Sequence, residues 1–204
     1  MPSTELFSTA EARAFDGARL ASETDYPDVI VTAKEAEIRS WLERACGVNF
    51  IPTVHSSEVH DGDDSNYLIL NWPRITAVAS IYVDGVALTA AEINLTDYDE
   101  GLAVDPVLPM ITRRSGIFAS GWSNVLITYT AGYVTVPDLV KRAALMIAVQ
   151  EIPANNMPFQ ADGFDDGGTS YSFARADGYG GNWSSIPQVM AAICMYSYKG
   201  PGIA

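Results

Sequence analysis

The segment from Val125 to Gln150, VLITYTAGYVTVPDLVKRAALMIAVQ, leaves this chain the fewest choices. Val125, Ile127 and Tyr129 alternate with Leu126, Thr128 and Thr130, the period of two that makes a half-buried strand. Gly132 stops the strand, and Pro137 with Asp138 opens a helix. A missing N–H costs nothing at that position, and a carboxylate suits the helix dipole. From Ala143 to Val149 no side chain is polar. A helix that is apolar on every side has to be covered on every side. It is therefore a central core element, or its second face is covered by another subunit. The block offers no catalytic group.

A chain of 204 residues is long enough for one large domain or two small ones with a proper core. No run approaches the roughly 20 apolar residues that span a bilayer, so no membrane association is expected. The first residues, MPSTELFSTAEARAF, lack the basic and apolar regions of a secretory signal. Cys46 and Cys194 are the only cysteines, which makes no disulfide framework and suits assembly in a reducing cytoplasm. The formal net charge is −13, with basic pairs only at Arg113–Arg114 and Lys141–Arg142. Tight binding to nucleic acid, which needs an excess of cations facing phosphate, is disfavoured. An acidic surface past which DNA moves without sticking fits.

The periodicity changes along the chain. Ser8-Thr9-Ala10-Glu11 has the form of a capping box and predicts a helix from Ala10 to about Ser22. A second helix starts after Asp25-Tyr26-Pro27-Asp28, carries Ile30, Ala33, Ile38, Trp41, Leu42 and Ala45 near a 3.6 period, and stops at Gly47. From Phe50 the period becomes two. Strands are expected at Thr53–Val59, Tyr67–Trp72 and Ile75–Val83, with Ile75, Ala77, Ala79, Ile81 and Val83 on one face. Asp84-Gly85 is a type I′ hairpin signal. Weaker strands are expected at Ile93–Leu95, Leu102–Val104 and Ile111–Arg113 before the Val125 strand. The stretch from Ile152 to Ser185 is rich in glycine, aspartate and aromatics and reads as a long arm, with a hairpin at Ser170–Arg175. A last helix is expected over Pro187–Tyr198, capped by Ser185.

The fold class is thus α+β: a helical core into which an antiparallel β-sandwich or barrel is inserted. The expected division is 1–50 for N-terminal helices, 51–134 for the β insert, 135–152 for the central helix, and 153–204 for the arm and C-terminal docking helix.

Chemical motifs are scarce. His55 and His60 are the only histidines, and residues five apart on a regular strand point to opposite faces. Without a bulge they cannot share a metal, although Glu58, Asp61, Asp63 and Asp64 lie close in sequence. Counted from Asp61, a calcium loop needs glycine sixth and glutamate twelfth, where the chain has Asn66 and Trp72. There is no nucleophile elbow, P-loop or dinucleotide fingerprint. Cys46 sits at a helix end, away from the N-terminus that would activate a thiol. No cofactor, metal or enzymatic activity is expected. The aromatics of the arm, Phe159, Phe164, Tyr171, Phe173, Tyr179 and Trp183, are either anchors at a protein interface or packed on their own subunit.

The order of elements nevertheless forms a pattern. ERACGVNF closes a helical pair, Ala77–Leu88 carries an apolar strand and its VDG turn, and NVLITYTAGYVTVPDLVKRAALMIA follows. A Gly/Ser-rich stretch then leads to Ile186-Pro187-Gln188-Val189 and a short helix. Over nearly its whole length the chain resembles the head–tail connector, or adaptor, proteins of tailed bacteriophages and related gene-transfer particles. Its most specific parts are Ile127–Tyr133 and the Val136-Pro137-Asp138-Leu139 helix start.

The resemblance implies a structural protein of the virion neck, assembled in the cytoplasm of a bacterial host. Such adaptors form a ring of about twelve copies below the portal, which requires two different patches on each subunit. The ring extends the DNA channel and presents a surface to the next neck or tail-completion protein. The resemblance implies portal contacts from the C-terminal segment, here Met195, Tyr196, Tyr198 and Ile203. Leu139, Ala143, Met146, Ile147 and Trp41 are expected in the core or a subunit interface, covered once the ring has formed. Two readings from other classes stand beside this one: a β-sandwich module for a carbohydrate or host surface, and a hydrolase with an unrecognised acid pair.

Overall fold

A computed structural model describes residues 3–15, 20–95, 102–104, 108–154, 163–166, 169–172 and 186–198. These form four helices and nine strands in an α+β arrangement. Contacts divide the chain into two compact units. One holds Met1–Thr4, Glu43–Pro137 and Tyr196–Ala204; the other holds Glu5–Leu42 and Asp138–Met195.

In the second unit, α1 (Thr9–Ala14) begins with the expected capping box. The Ser8 hydroxyl accepts the Glu11 N–H at 3.2 Å, and the Glu11 carboxylate accepts the Ser8 N–H at 2.8 Å. The helix is shorter than its periodicity predicts, because Phe15 is already extended and the Asp16-Gly17 that follows is a turn signal. α2 (Asp28–Cys46) buries Val31, Glu35, Ile38 and Leu42, whereas Ile30 and Ala33 of the expected stripe are exposed. Glu35 explains the rotated face. Its carboxylate accepts the Leu6 N–H at 2.9 Å, tying the N-terminal segment to α2, and burial raises its pKa. α2 ends at Gly47 in the left-handed region, φ +66°, with the Gly47 N–H on the Glu43 carbonyl at 2.8 Å.

The apolar helix is α3 (Asp138–Ala154). Val140, Ala143, Ala144, Ile147, Ala148 and Ile152 are fully buried within the chain itself. α1 packs against α3, and Lys141 reaches Glu11 at 2.8 Å. The same unit contains α4 (Pro187–Tyr196), which continues by one residue into the first, and the hairpin of β8 (Gly163–Asp166) with β9 (Thr169–Ser172). This hairpin lies earlier than Ser170–Arg175, with Gly167-Gly168 between its strands as the turn signal. Ser185, the expected α4 cap, lies outside the described residues.

The first unit is an antiparallel β structure. β1 (Thr53–Gly62), β7 (Gly121–Ala131), β3 (Ile75–Val83) and β4 (Val86–Ala87) lie in that order in one sheet. β2 (Tyr67–Ile69), β6 (Met110–Arg113) and β5 (Leu102–Val104) form the other. Both contribute to one core, in which Ile81, Val125, Ile127 and Tyr129 meet Leu68, Leu102, Ile111 and Phe118. Among the described residues no ladder closes the sheets into a barrel.

Asp84 and Gly85, at φ +51° and +77°, form the expected hairpin. Gly132 at φ +128° breaks β7, and a Cβ there would run into the Ile51 carbonyl oxygen. Ile93–Leu95 is not a strand. Thr89 and Glu92 cap one another, N–H of Thr89 to the Glu92 carboxylate at 2.8 Å and N–H of Glu92 to the Thr89 hydroxyl at 3.4 Å, and wind the segment into a turn. β2 stops at Ile69, short of Trp72. On β3 the period of two fails as well: register shifts between Ile75 and Ala77 and between Val78 and Ser80 leave Ala77 and Ala79 exposed.

Candidate functional site

The period of two also fails on β1, and there it builds a polar network. The register slips between His55 and Glu58, with Ser57 at φ +55°. The bulge brings His55, Glu58 and His60 to the same inward side, while Val54, Ser56 and Val59 are exposed. The separation of the two histidines expected from a regular strand is therefore wrong.

Glu58 is the hub. One carboxylate oxygen accepts the Tyr129 hydroxyl at 2.8 Å; the other accepts the Asn71 N–H at 3.0 Å and lies 2.6 Å from His60 Nε2. Burial by itself would raise the Glu58 pKa, but these donors outweigh it and hold the carboxyl below its ordinary value. The Tyr129 phenol is pushed strongly upward, first by burial and then by the carboxylate it serves. His55 stacks on Trp72, with ring centres 5.3 Å apart, and its Nε2 meets the Asn49 amide at 2.7 Å. Burial lowers its pKa, against the opposing pull of the Glu58 carboxylate.

The network has little chemistry to offer. Every Glu58 donor is engaged in holding β1, β7 and the 71–72 turn together. Among the described residues no group of three His, Cys, Asp or Glu is placed to hold a metal ion. Cys46 is buried, which pushes its thiol up to about 11; Cys194 is exposed on α4.

Opposite the network, the outer face of the four-stranded sheet is open. Val59, Leu126, Tyr82 and Ala87 form a cross-strand row on it, all of them exposed. The rows behind hold Thr128 with Ser80, then Val54 with Thr130 and Ala77. At one end Tyr82, Asp84, Asn124 and Leu126 line a shallow depression of about 550 Å³.

The other residues singled out from sequence divide by burial. Ala143 and Ile147 are core residues, while Leu139, Met146 and Trp41 are half-buried. Met195 is 69% exposed. Tyr196 is edge-on to Phe50 and Tyr133, at 6.1 and 5.9 Å between ring centres, and the Tyr198 N–H donates to the Cys46 carbonyl at 2.7 Å. The C-terminal segment is thereby anchored on the β unit. Ile203 lies outside the described residues, as do Phe159, Phe173, Tyr179 and Trp183. Phe164 and Tyr171 are register partners in the β8–β9 hairpin. Sequence reading missed the Glu58–Tyr129 pair and the outer sheet row. A bulge moves every later residue to the other face, and no residue type announces it.

No protein-family model and no curated protein matches the chain. Solved structures do. A chain from the neck of an empty gene transfer agent particle, computed with C6 symmetry, superposes with a TM-score of 0.60 at 17% identity. The match covers 97% of this chain and 94% of that one. A chain from the neck of the native particle, computed with C12 symmetry, gives 0.50 at 14% identity over the same shares. The chain thus has the fold of a gene transfer agent neck chain over nearly its full length.

Proposed function

We propose that this chain is a structural, non-enzymatic component of a virion neck, a head–tail adaptor that forms a ring below the portal. The observation that carries the reading is the near-complete fold match to neck chains in particles solved with C6 and C12 symmetry. Cyclic symmetry of that kind joins two different patches of neighbouring copies. The net charge of −13 supports a conduit through which DNA passes without binding. A side-chain set spent on strand cohesion, as around Glu58, supports a holding role and not a reactive one.

In this reading the exposed Met195 and the segment through Ile203 engage the portal. Tyr196 and Tyr198 anchor that segment and present their remaining edges. Leu139, Met146 and Trp41, half-covered in the single chain, lose further surface in the ring, and another surface meets the next neck or tail protein. The test mixes the full chain with purified portal of the same particle and reads stoichiometry by native mass spectrometry. A complex of defined ring stoichiometry is expected. Its loss on removing residues after Ile186 supports C-terminal docking, and its persistence overturns that part of the proposal. No complex with the intact chain overturns the adaptor reading.

A further inference from the structure

The outer face of the β1–β7–β3–β4 sheet has a property that its composition alone conceals. From the Val54 row to the Val59 row it carries no charged side chain. Yet the chain as a whole has 25 acidic residues against 12 basic ones. Glu58, His55 and His60 are all turned to the inner side, and the first carboxylates, Asp61 and Asp84, stand just beyond the Val59 row, where the neutral stretch ends. What remains outside is Val59 at 52% exposure, Tyr82 at 38% and Leu126 at 36%, with threonine, serine and alanine behind them. An uncovered sheet face of this kind is ordinarily covered by another layer.

Charge decides what can cover it. A basic partner gains most from the acidic surface, and so has no reason to select the neutral part. A second copy of this chain brings the same net −13, so charge opposes a contact between copies least across a neutral patch. We infer that this outer sheet face is one of the two patches through which a copy packs against its neighbour in a ring. The Val59–Leu126–Tyr82 row supplies the largest exposed apolar side chains of the contact, which extends from it toward the Val54 row and meets a different patch on the neighbour, as cyclic closure requires. The inference rests on the ring reading above and adds to it the surface that makes the ring.

The inward rotation of Glu58 has a role in this arrangement. On a strand without a bulge the histidines and the carboxylate would be split between the faces. The Ser56–Ser57 bulge gathers all three inside and leaves the outside neutral.

The experiment compares the full chain with Val59→Glu, Tyr82→Glu and the double variant, and with Val134→Glu as an exposed apolar control off this face. Far-ultraviolet circular dichroism verifies that each is folded. Native mass spectrometry reads ring formation with and without the portal. Hydroxyl-radical footprinting of Tyr82 in the wild-type ring is a second measurement that needs no variant. An unpaired carboxylate buried at each contact is expected to weaken association at least ~100-fold, with Val134→Glu unchanged and Tyr82 protected in the wild-type ring. Rings that persist in the double variant with Tyr82 still accessible overturn this surface while leaving the ring reading intact. Protection of Tyr82 only after a tail-side protein is added assigns the face to that partner and overturns the inference. A wild-type chain that forms no ring under any of these conditions overturns both.

Discussion

Tyr129→Phe probes the hydrogen-bond network centred on Glu58 in the β unit. The substitution keeps the fully buried ring and removes only the hydroxyl, which donates to Glu58 at 2.8 Å and accepts the Trp72 N–H at 3.3 Å. A hydrogen bond to a charged group is worth about 1.5–3 kcal/mol, and the longer bond from Trp72 adds less. A loss of about 2 kcal/mol follows; with a urea slope of about 2 kcal/mol/M it lowers the midpoint by about 1 M. Trp72 stacks beside the network, so tryptophan fluorescence follows the transition locally.

The pH dependence gives the sign. Glu58 titrates below its ordinary 4.5 in the folded state, so its stabilisation is complete above the unfolded pKa and disappears as pH falls through the folded one. Removing a donor that lowers this pKa moves the acid limb of the variant upward. The gap between variant and wild type is therefore widest at neutral pH and narrows below about 4.5. Tyr198→Phe is the control, because its buried hydroxyl has no partner among the described residues and its removal should cost close to nothing. An equal loss in both variants, or a Tyr129→Phe penalty that does not change with pH, refutes the account of Glu58 as a charged hub.

Gly132→Ala should destabilise the chain by about 3 kcal/mol or more in a urea melt, since it combines φ +128° with a clash against the Ile51 carbonyl. Ser8→Ala should cost about 1 kcal/mol by removing the α1 capping box, with the loss read by the same melt. In the folded monomer at pH 8 a thiol reagent should titrate Cys194 rapidly and leave Cys46, whose thiol is held up to about 11, until urea is added. Fluorescence anisotropy with duplex DNA at physiological salt should detect no binding, as −13 and scattered cations imply.

The sequence by itself determined the elements whose signal is local. The Ser8 capping box, the Gly47 stop, the Asp84-Gly85 turn and the alternation of Val125, Ile127 and Tyr129 each follow from one turn or one strand of backbone geometry. Ala143 and Ile147 are buried within the chain itself, on a helix that has no polar side and has to be enclosed. The capping pair Thr89–Glu92 was equally readable and contradicted the strand expected at Ile93. What only the tertiary structure decided is which side each strand residue faces. Register shifts on β1 and β3 depend on how β7 pairs with both neighbours, a relation between residues some 50 to 75 positions apart. Those shifts draw Glu58 and both histidines inward and leave the other face without charge. Pairing between distant strands carries no local signature, so the hub and the neutral face became visible only once the chain was folded.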